Sequence, residues 1–235
     1  MKKTTVLVDE RISESCFNSL LSLGYSPIKL PPFPILPTAI ASHTDILTFK
    51  FKDKIVFSKA YFDMFFDILS PLNKQNIILT DESQGVNYPL DAIFNGLLIG
   101  DKLFCKKDSF SKEILEIIED LGVKVIPTKQ GYPACTALKI SENAIVTADK
   151  GMQKALLSAG IDVLLIENGH ISLPPYEYGF IGGAGEAYED AVYFFGNIES
   201  HPDAKRIIEF IEERGKRAIS LSREPLRDLG GMIFV

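Results

Sequence analysis

A unit of strand, tight turn, strand, helix, strand recurs along the chain at intervals of roughly forty to fifty residues. The clearest copy is 137–166, which reads ALKI, the turn SEN, AIVT, the amphipathic stretch DKGMQKALLSAG and then DVLLI. The same order appears in 45–80 (ILTFKF, IVF, SKAYFDMFFDILS, NIILT), in 93–127 (IFNGLLI, LFC, SFSKEILEIIED, VKVIP) and in 180–221, where the first strand is rich in glycine. Two pieces are left over. Residues 4–30 supply strand, helix and strand, and residues 230–235 (GGMIFV) supply one apolar strand. Joined, tail and head complete a fifth unit, so the expected fold is α/β, a ring of five units closed by pairing the terminal strands. Apolar runs joined by two or three residues such as SEN and GDK must be antiparallel neighbours, which argues against a doubly wound parallel sheet.

Punctuation supports the helix assignments. In 109–121 Phe110, Ile114, Leu115, Ile117, Ile118 and Leu121 form one face, with Lys112, Glu113, Glu116, Glu119 and Asp120 opposite. Gly24, Gly122, Gly160 and Gly215 follow the helices, as left-handed C-terminal caps require. Ser13, Ser58 and Ser200 are expected N-caps. Closing strands are expected to begin near 26, 76, 123, 162 and 217, and the unequal spacing places inserted loops at 31–42 and 167–178, both rich in proline.

With 235 residues, of which 46% are hydrophobic, the chain can bury a large core, and a single domain over 1–235 is expected. The net charge of −6, without blocks of like charge, disfavours a nucleic-acid partner and tolerates a small cation. The three cysteines, Cys16, Cys105 and Cys135, lack metal-ligand or disulfide spacing. The start MKKTTVLVDE does not read as a secretory leader, and no apolar run approaches the ~20 residues of a membrane helix. The expectation is a cytoplasmic protein with reduced thiols.

Polar residues that open the first strands are the candidates for chemistry. Ser42-His43-Thr44-Asp45 opens one unit, Asp91 with Asn95 opens the next, and Gly131-Tyr132-Pro133-Ala134-Cys135-Thr136 opens the third. His43 stands twelve positions before Ile55, and Asp91 stands twelve before Leu103, so the two occupy matching places. A histidine can exchange protons at neutral pH, and a thiolate is a strong nucleophile. Each also has an ordinary structural explanation: a solvent-facing turn for His43, an Asx turn beside Pro89 for Asp91, a small buried hydrophobe for Cys135. The run Gly179-Phe180-Ile181-Gly182-Gly183-Ala184-Gly185 is not a dinucleotide loop, because a strand follows it where a helix is required and Tyr188 stands in place of the last glycine. Its glycines are expected to let backbone approach the axis or a ligand closely.

Five such units, with these residues at their openings, resemble the pentein, or guanidine-modifying enzyme, superfamily of deiminases, dimethylargininases and amidinotransferases, which also includes a non-enzymatic ribosome-binding factor. The resemblance implies a five-bladed pseudo-fivefold α/β propeller whose first strands line the axis, with the chemistry at one end. It implies Cys135 as nucleophile and His43 as general acid/base, with Asp45, Asp91, Asn95, Asp228 and Glu186 gripping a flat guanidino or amidino cation, and no metal or organic cofactor. The pattern departs at one place. Familiar members carry the nucleophile near the C-terminus after a glycine pair, where this chain reads Gly230-Gly231-Met232. The implied activity is therefore that of a deiminase-like hydrolase with a displaced nucleophile, and the alternative is a binding protein that uses the same axial pocket without chemistry.

Overall fold

The computed structural model describes residues 3–235, and these form five sheets of three strands each. The first unit in the chain is β1 (Thr5–Asp9), α1 (Glu14–Ser22) and β2 (Ser26–Leu30). The second is a one-turn helix α2 (Thr44–Leu47), β3 (Thr48–Phe51), β4 (Lys54–Ser58), α3 (Lys59–Met64), α4 (Phe66–Leu69) and β5 (Ile77–Thr80). The third runs β6 (Leu97–Ile99), β7 (Lys102–Cys105), α5 (Lys112–Asp120), β8 (Lys124–Pro127), and the fourth runs α6 (Pro133–Thr136), β9 (Ala137–Ser141), β10 (Ala144–Thr147), α7 (Lys150–Ser158), β11 (Asp162–Leu165). The last is β12 (Gly185–Tyr188), β13 (Ala191–Phe194), α8 (Ala204–Glu212), β14 (Arg217–Ser220), followed by β15 (Ile233–Phe234).

Every complete unit pairs its first two strands antiparallel and its second and third parallel through the helical crossover. The turns are two residues long, and Lys52 and Glu189 take positive φ there (51° and 50°), as tight hairpins demand. The tail closes the ring as expected: β15 pairs antiparallel with β1, matching Val6 with Phe234 and Leu7 with Ile233. The core is divided accordingly. Each hydrophobic cluster fills the seam between two neighbouring units, as when Phe49 and Val56 pack with Phe94, Leu103 and Ile114. Leu7, Leu30 and Ile233 pack with Leu47, Ile55 and Phe57 across the seam made by the two chain ends. The architecture is a five-bladed pseudo-fivefold α/β propeller, and its five first strands, β3, β6, β9, β12 and β15, line one axial cavity of about 470 Å³.

Gly24, Gly122, Gly160 and Gly215 all take positive φ at helix ends, and Ser13 and Ser58 cap α1 and α3 through Cys16 and Tyr61 N–H. Two local expectations change. Ser200 ends a short 3-10 turn instead of capping a helix, because Pro202 intervenes and α8 starts only at Ala204. The helix expected over 58–70 breaks at Phe65 (φ −118°, ψ 31°) into α3 and α4. Among the described residues no helix is long and apolar enough to cross a membrane.

Candidate active site

Polar side chains meet at the end of the propeller where the loops enter the first strands. One-turn helices deliver two of them. In α2 Thr48 donates to the Thr44 carbonyl (2.8 Å), and the Asp45 N–H reaches the Gly230 carbonyl (3.2 Å), so His43 and Asp45 are fixed against the tail that leads into β15. In α6 Pro133 starts the turn, Thr136 Oγ1 donates back to its carbonyl (3.1 Å), and Thr147 Oγ1 of β10 donates to the Thr136 carbonyl (2.7 Å). Cys135 therefore precedes β9 on a clamped helical turn.

The glycine run completes the wall. Gly183 N–H donates to the Cys135 carbonyl (3.1 Å), a Cβ on Gly182 would overlap the Ala134 carbonyl, and one on Gly183 would overlap the Asp228 carboxylate. Gly230, at φ 69°, lies against the His43 side chain. The close approach expected of these glycines is to the site's own backbone and side chains.

His43, Asp45 and Cys135 each offer a donor atom within 4.8 Å of the others. The Cys135 thiol donates to Asp45 Oδ2 at 2.7 Å, and Asn95 Nδ2 donates to Cys135 Sγ at 3.2 Å and to the Asp45 carbonyl at 3.1 Å. Asn95 Oδ1 accepts from Ala134 N–H (2.9 Å), which ties the third unit to the fourth. His43 Nδ1 lies 3.9 Å from both Asp45 Oδ1 and Asp228 Oδ1, and Nε2 lies 3.8 Å from Asp9 Oδ2. Asp228 accepts from Phe180 N–H (2.8 Å) and Gly230 N–H (3.1 Å).

Burial governs the charges. His43 is pushed below its ordinary pKa by burial, against the pull of Asp228 and Asp9, so its ring is neutral at pH 7, and both ring nitrogens lack a hydrogen-bond partner. Burial raises Asp45 to about 6. The Cys135 thiol is pushed well up by burial and by the Asp45 and Asp228 carboxylates, which keeps it protonated while no cation is present. The set of thiol, imidazole and carboxylate could also ligate a metal ion of the zinc type.

The remaining expected residues divide. Asp91 is buried but pairs with Tyr132, whose hydroxyl donates to Oδ2 at 2.8 Å, so its place matching His43 in the repeat does not make it a partner of the histidine. Glu186 faces the axial cavity, further along the axis than Asp45. Cys16 and Cys105 are buried among apolar neighbours, and burial raises the Cys105 thiol to about 12. Sequence reasoning missed Asp9 and Arg11, and it gave Ser42, named within its candidate segment, no role of its own. Burial would raise Asp9, but hydrogen bonds from Arg11 and the charge of its guanidinium oppose it, and the carboxyl is held low. Ser42 Oγ also donates to Asp9 (2.8 Å). The available signal was an acid ending the apolar run TVLV, at a strand end where other units carry Ser58, Cys105 or Thr147.

Comparison with known proteins places the fold. No curated protein matches the chain. Solved structures similar to it include DDAH from Pseudomonas aeruginosa, a mutant complexed with citrulline (TM-score 0.59, 10% identity, 95% of this chain and 93% of that chain covered). They also include agmatine deiminase from C. jejuni (TM-score 0.56, 12% identity, 94% and 76% covered) and an amidinotransferase of saxitoxin biosynthesis from Microseira wollei (TM-score 0.55, 11% identity, 92% and 77% covered). The fold is that of the pentein superfamily, and the chain belongs to the family of unknown function DUF6873, whose model matches residues 7–233.

Proposed function

We propose that this chain is a guanidine- or amidine-modifying hydrolase with Cys135 as nucleophile and His43 as general acid/base. The observation that carries the reading is the convergence of His43, Asp45 and Cys135 within 4.8 Å, with both imidazole nitrogens and Asp45 Oδ1 buried and unpartnered. Buried polar atoms left unpaired are costly, so such a cluster calls for a ligand that supplies donors. A planar cation does so. Its N–H groups pair with Asp45 and Asp228, and its charge offsets the carboxylates that hold the Cys135 proton in place.

The thiol proton then passes to His43 and the thiolate sulfur bonds to the central carbon. His43 returns the proton to the leaving nitrogen as that carbon–nitrogen bond breaks, which leaves a thiouronium adduct on Cys135. His43 next takes a proton from water, whose oxygen adds to the same carbon; as the carbon–sulfur bond breaks, the hydroxyl proton of the adduct returns to the Cys135 sulfur, the neutral urea-type product departs, and His43 gives up its proton to solvent. Asn95 orients the sulfur throughout. No step requires a metal or organic cofactor, so turnover is expected to survive chelators.

A second reading, a binding protein on the same ring, draws on one observation. Cys135 is only 4% exposed and its thiol pKa is raised. His43 does not share the solvent-facing position which that reading expects, being 1% exposed. One experiment separates the two. Turnover of a panel of guanidino and amidino compounds, with intact mass during turnover, is expected to reveal a covalent adduct; Cys135→Ala and His43→Ala are expected to abolish turnover while leaving the thermal melt nearly unchanged. Full activity in Cys135→Ala sinks the mechanism.

A further inference from the structure

Every blade ends in an outer strand with a free edge, and four of the five edges are guarded. β2 carries Pro27 and Lys29, β8 carries Lys124 and Pro127, β11 opens on Asp162, which pairs with Arg214, and β14 opens on Arg217. Charges and prolines so placed keep a sheet from pairing with a neighbouring chain. β5 has neither, reading Ile77-Ile78-Leu79-Thr80. Among the described residues, Ile78, Leu79 and Thr80 make no backbone hydrogen bond beyond the ladder to β4.

The same blade carries an apolar surface beside that edge. Ile77 packs on the cluster that holds Phe62, Leu69 and Leu72, so by the two-residue period of a strand Leu79 points to the helix-bearing face as well, and it is 43% exposed. On the helices of that face Met64 (54%), Phe66 (45%) and Ile68 (41%) are turned outward by the break at Phe65. Lys74 Nζ lies over the Phe66 ring, 5.8 Å from its centroid, in the 3-10 turn Lys74–Asn76 that leads directly into β5, so the helical patch and the strand edge adjoin. By contrast α8 exposes no large apolar side chain, and α7 exposes only Leu157. The exposed charges on the patch are Lys59 and Lys74 against Asp63 and Asp67. They cancel, in a chain whose net charge is −6, so two copies of this surface can meet with opposite charges matched.

We propose that this surface joins two copies of the chain, with the β5 edges paired antiparallel about a twofold axis perpendicular to the sheet. An axis in that direction keeps the helix-bearing faces of both sheets on one side, so Leu79, Phe66 and their counterparts bury one another along the seam while the lysines of one copy face the aspartates of the other. The two three-stranded sheets become one of six strands. β3 and the axial site lie at the opposite edge of the blade, so the contact is independent of the hydrolase reading.

Sedimentation velocity of the wild-type chain over a concentration series tests it. A particle of twice the 26.1 kDa chain mass is expected. Leu79→Lys, which gives β5 the guard that the other outer strands have, and Phe66→Glu are each expected to raise the dimer dissociation constant at least about tenfold, whereas Leu157→Glu, at a comparably exposed position on α7, is expected to leave it unchanged. Hydrogen exchange of the wild type needs no variant to fold: the amides of residues 78–80 are expected to gain protection as the chain is concentrated, and those of β8 and β14 are not. A wild-type chain that stays monomeric up to about 200 μM overturns the proposal and leaves the edge to a strand of a different protein. Protection of 78–80 that ignores concentration, a dimer that withstands both substitutions on the β5 side, or one that Leu157→Glu also dissociates overturns it equally.

Discussion

His43 has three carboxylates within 4 Å and hydrogen-bonds to none of them. In water such surroundings would hold an imidazolium; here burial dominates, and the ring waits neutral for a charged ligand. Glu186 follows the same physics with the opposite sign of group. Its folded carboxyl titrates at about 7, against an ordinary value of 4.5, so the folded chain binds a proton through a range where the unfolded chain does not. Stability from this group is therefore greatest at low pH and is lost as pH rises toward 7. Glu186→Gln is expected to gain melting temperature over the wild type as pH is raised from 5 to 8, equivalent to roughly 2 kcal/mol. A difference that stays flat over that range would contradict the placement of Glu186 in the axis. At this scale the sequence was legible where a residue opened a repeat unit: His43, Asp45, Asn95, Cys135 and Asp228 converge. It was silent on Asp9 and on the contact between Ser42 and Asp9, because a residue's neighbours across the ring are set by strand pairing between distant segments.

The elements that place the site are short. Two one-turn helices, α2 and α6, turn the chain just before a first strand, and glycine backbone packs against each, Gly230 against α2 and Gly182-Gly183 against α6. Helical turns of four residues have too little periodicity to be read from sequence, so Cys135 is expected from sequence on a strand and found on a turn. Steric exclusion at Gly183 is equally invisible without coordinates. A Cβ there meets the Asp228 carboxylate, so Gly183→Ala is expected to lower stability by about 2 kcal/mol and to reduce turnover by displacing Asp228 and Cys135. Denaturant melts with parallel kinetics check it; wild-type values for both would show that the loop is not under this constraint. Longer elements were predictable because burial and capping repeat along them. Gly122 after α5 and Gly160 after α7 sit at positive φ as the end signals indicated.

For the whole molecule the decisive contact is between the chain ends. β15 supplies the inner strand of the unit built by β1 and β2, and Met232, Ile233 and Phe234 are each buried. Burying three large apolar side chains contributes about 6 kcal/mol, comparable to the total stability of many domains. Deletion of 231–235 is therefore expected to abolish the cooperative thermal transition and the near-ultraviolet dichroism, whereas a shortened chain that melts normally would show the ring to be stable while open. The repeat by itself determined the five units, their strand order, the capped helices and the closure by the two ends, because hairpin turns, amphipathic period and glycine caps are local and recur. Only the tertiary structure decided which polar residues meet. It set Asp9 beside His43, assigned Asp91 to Tyr132, and sent Glu186 into the axis, since contacts across a ring depend on the angle and depth of each blade, quantities that no single segment encodes.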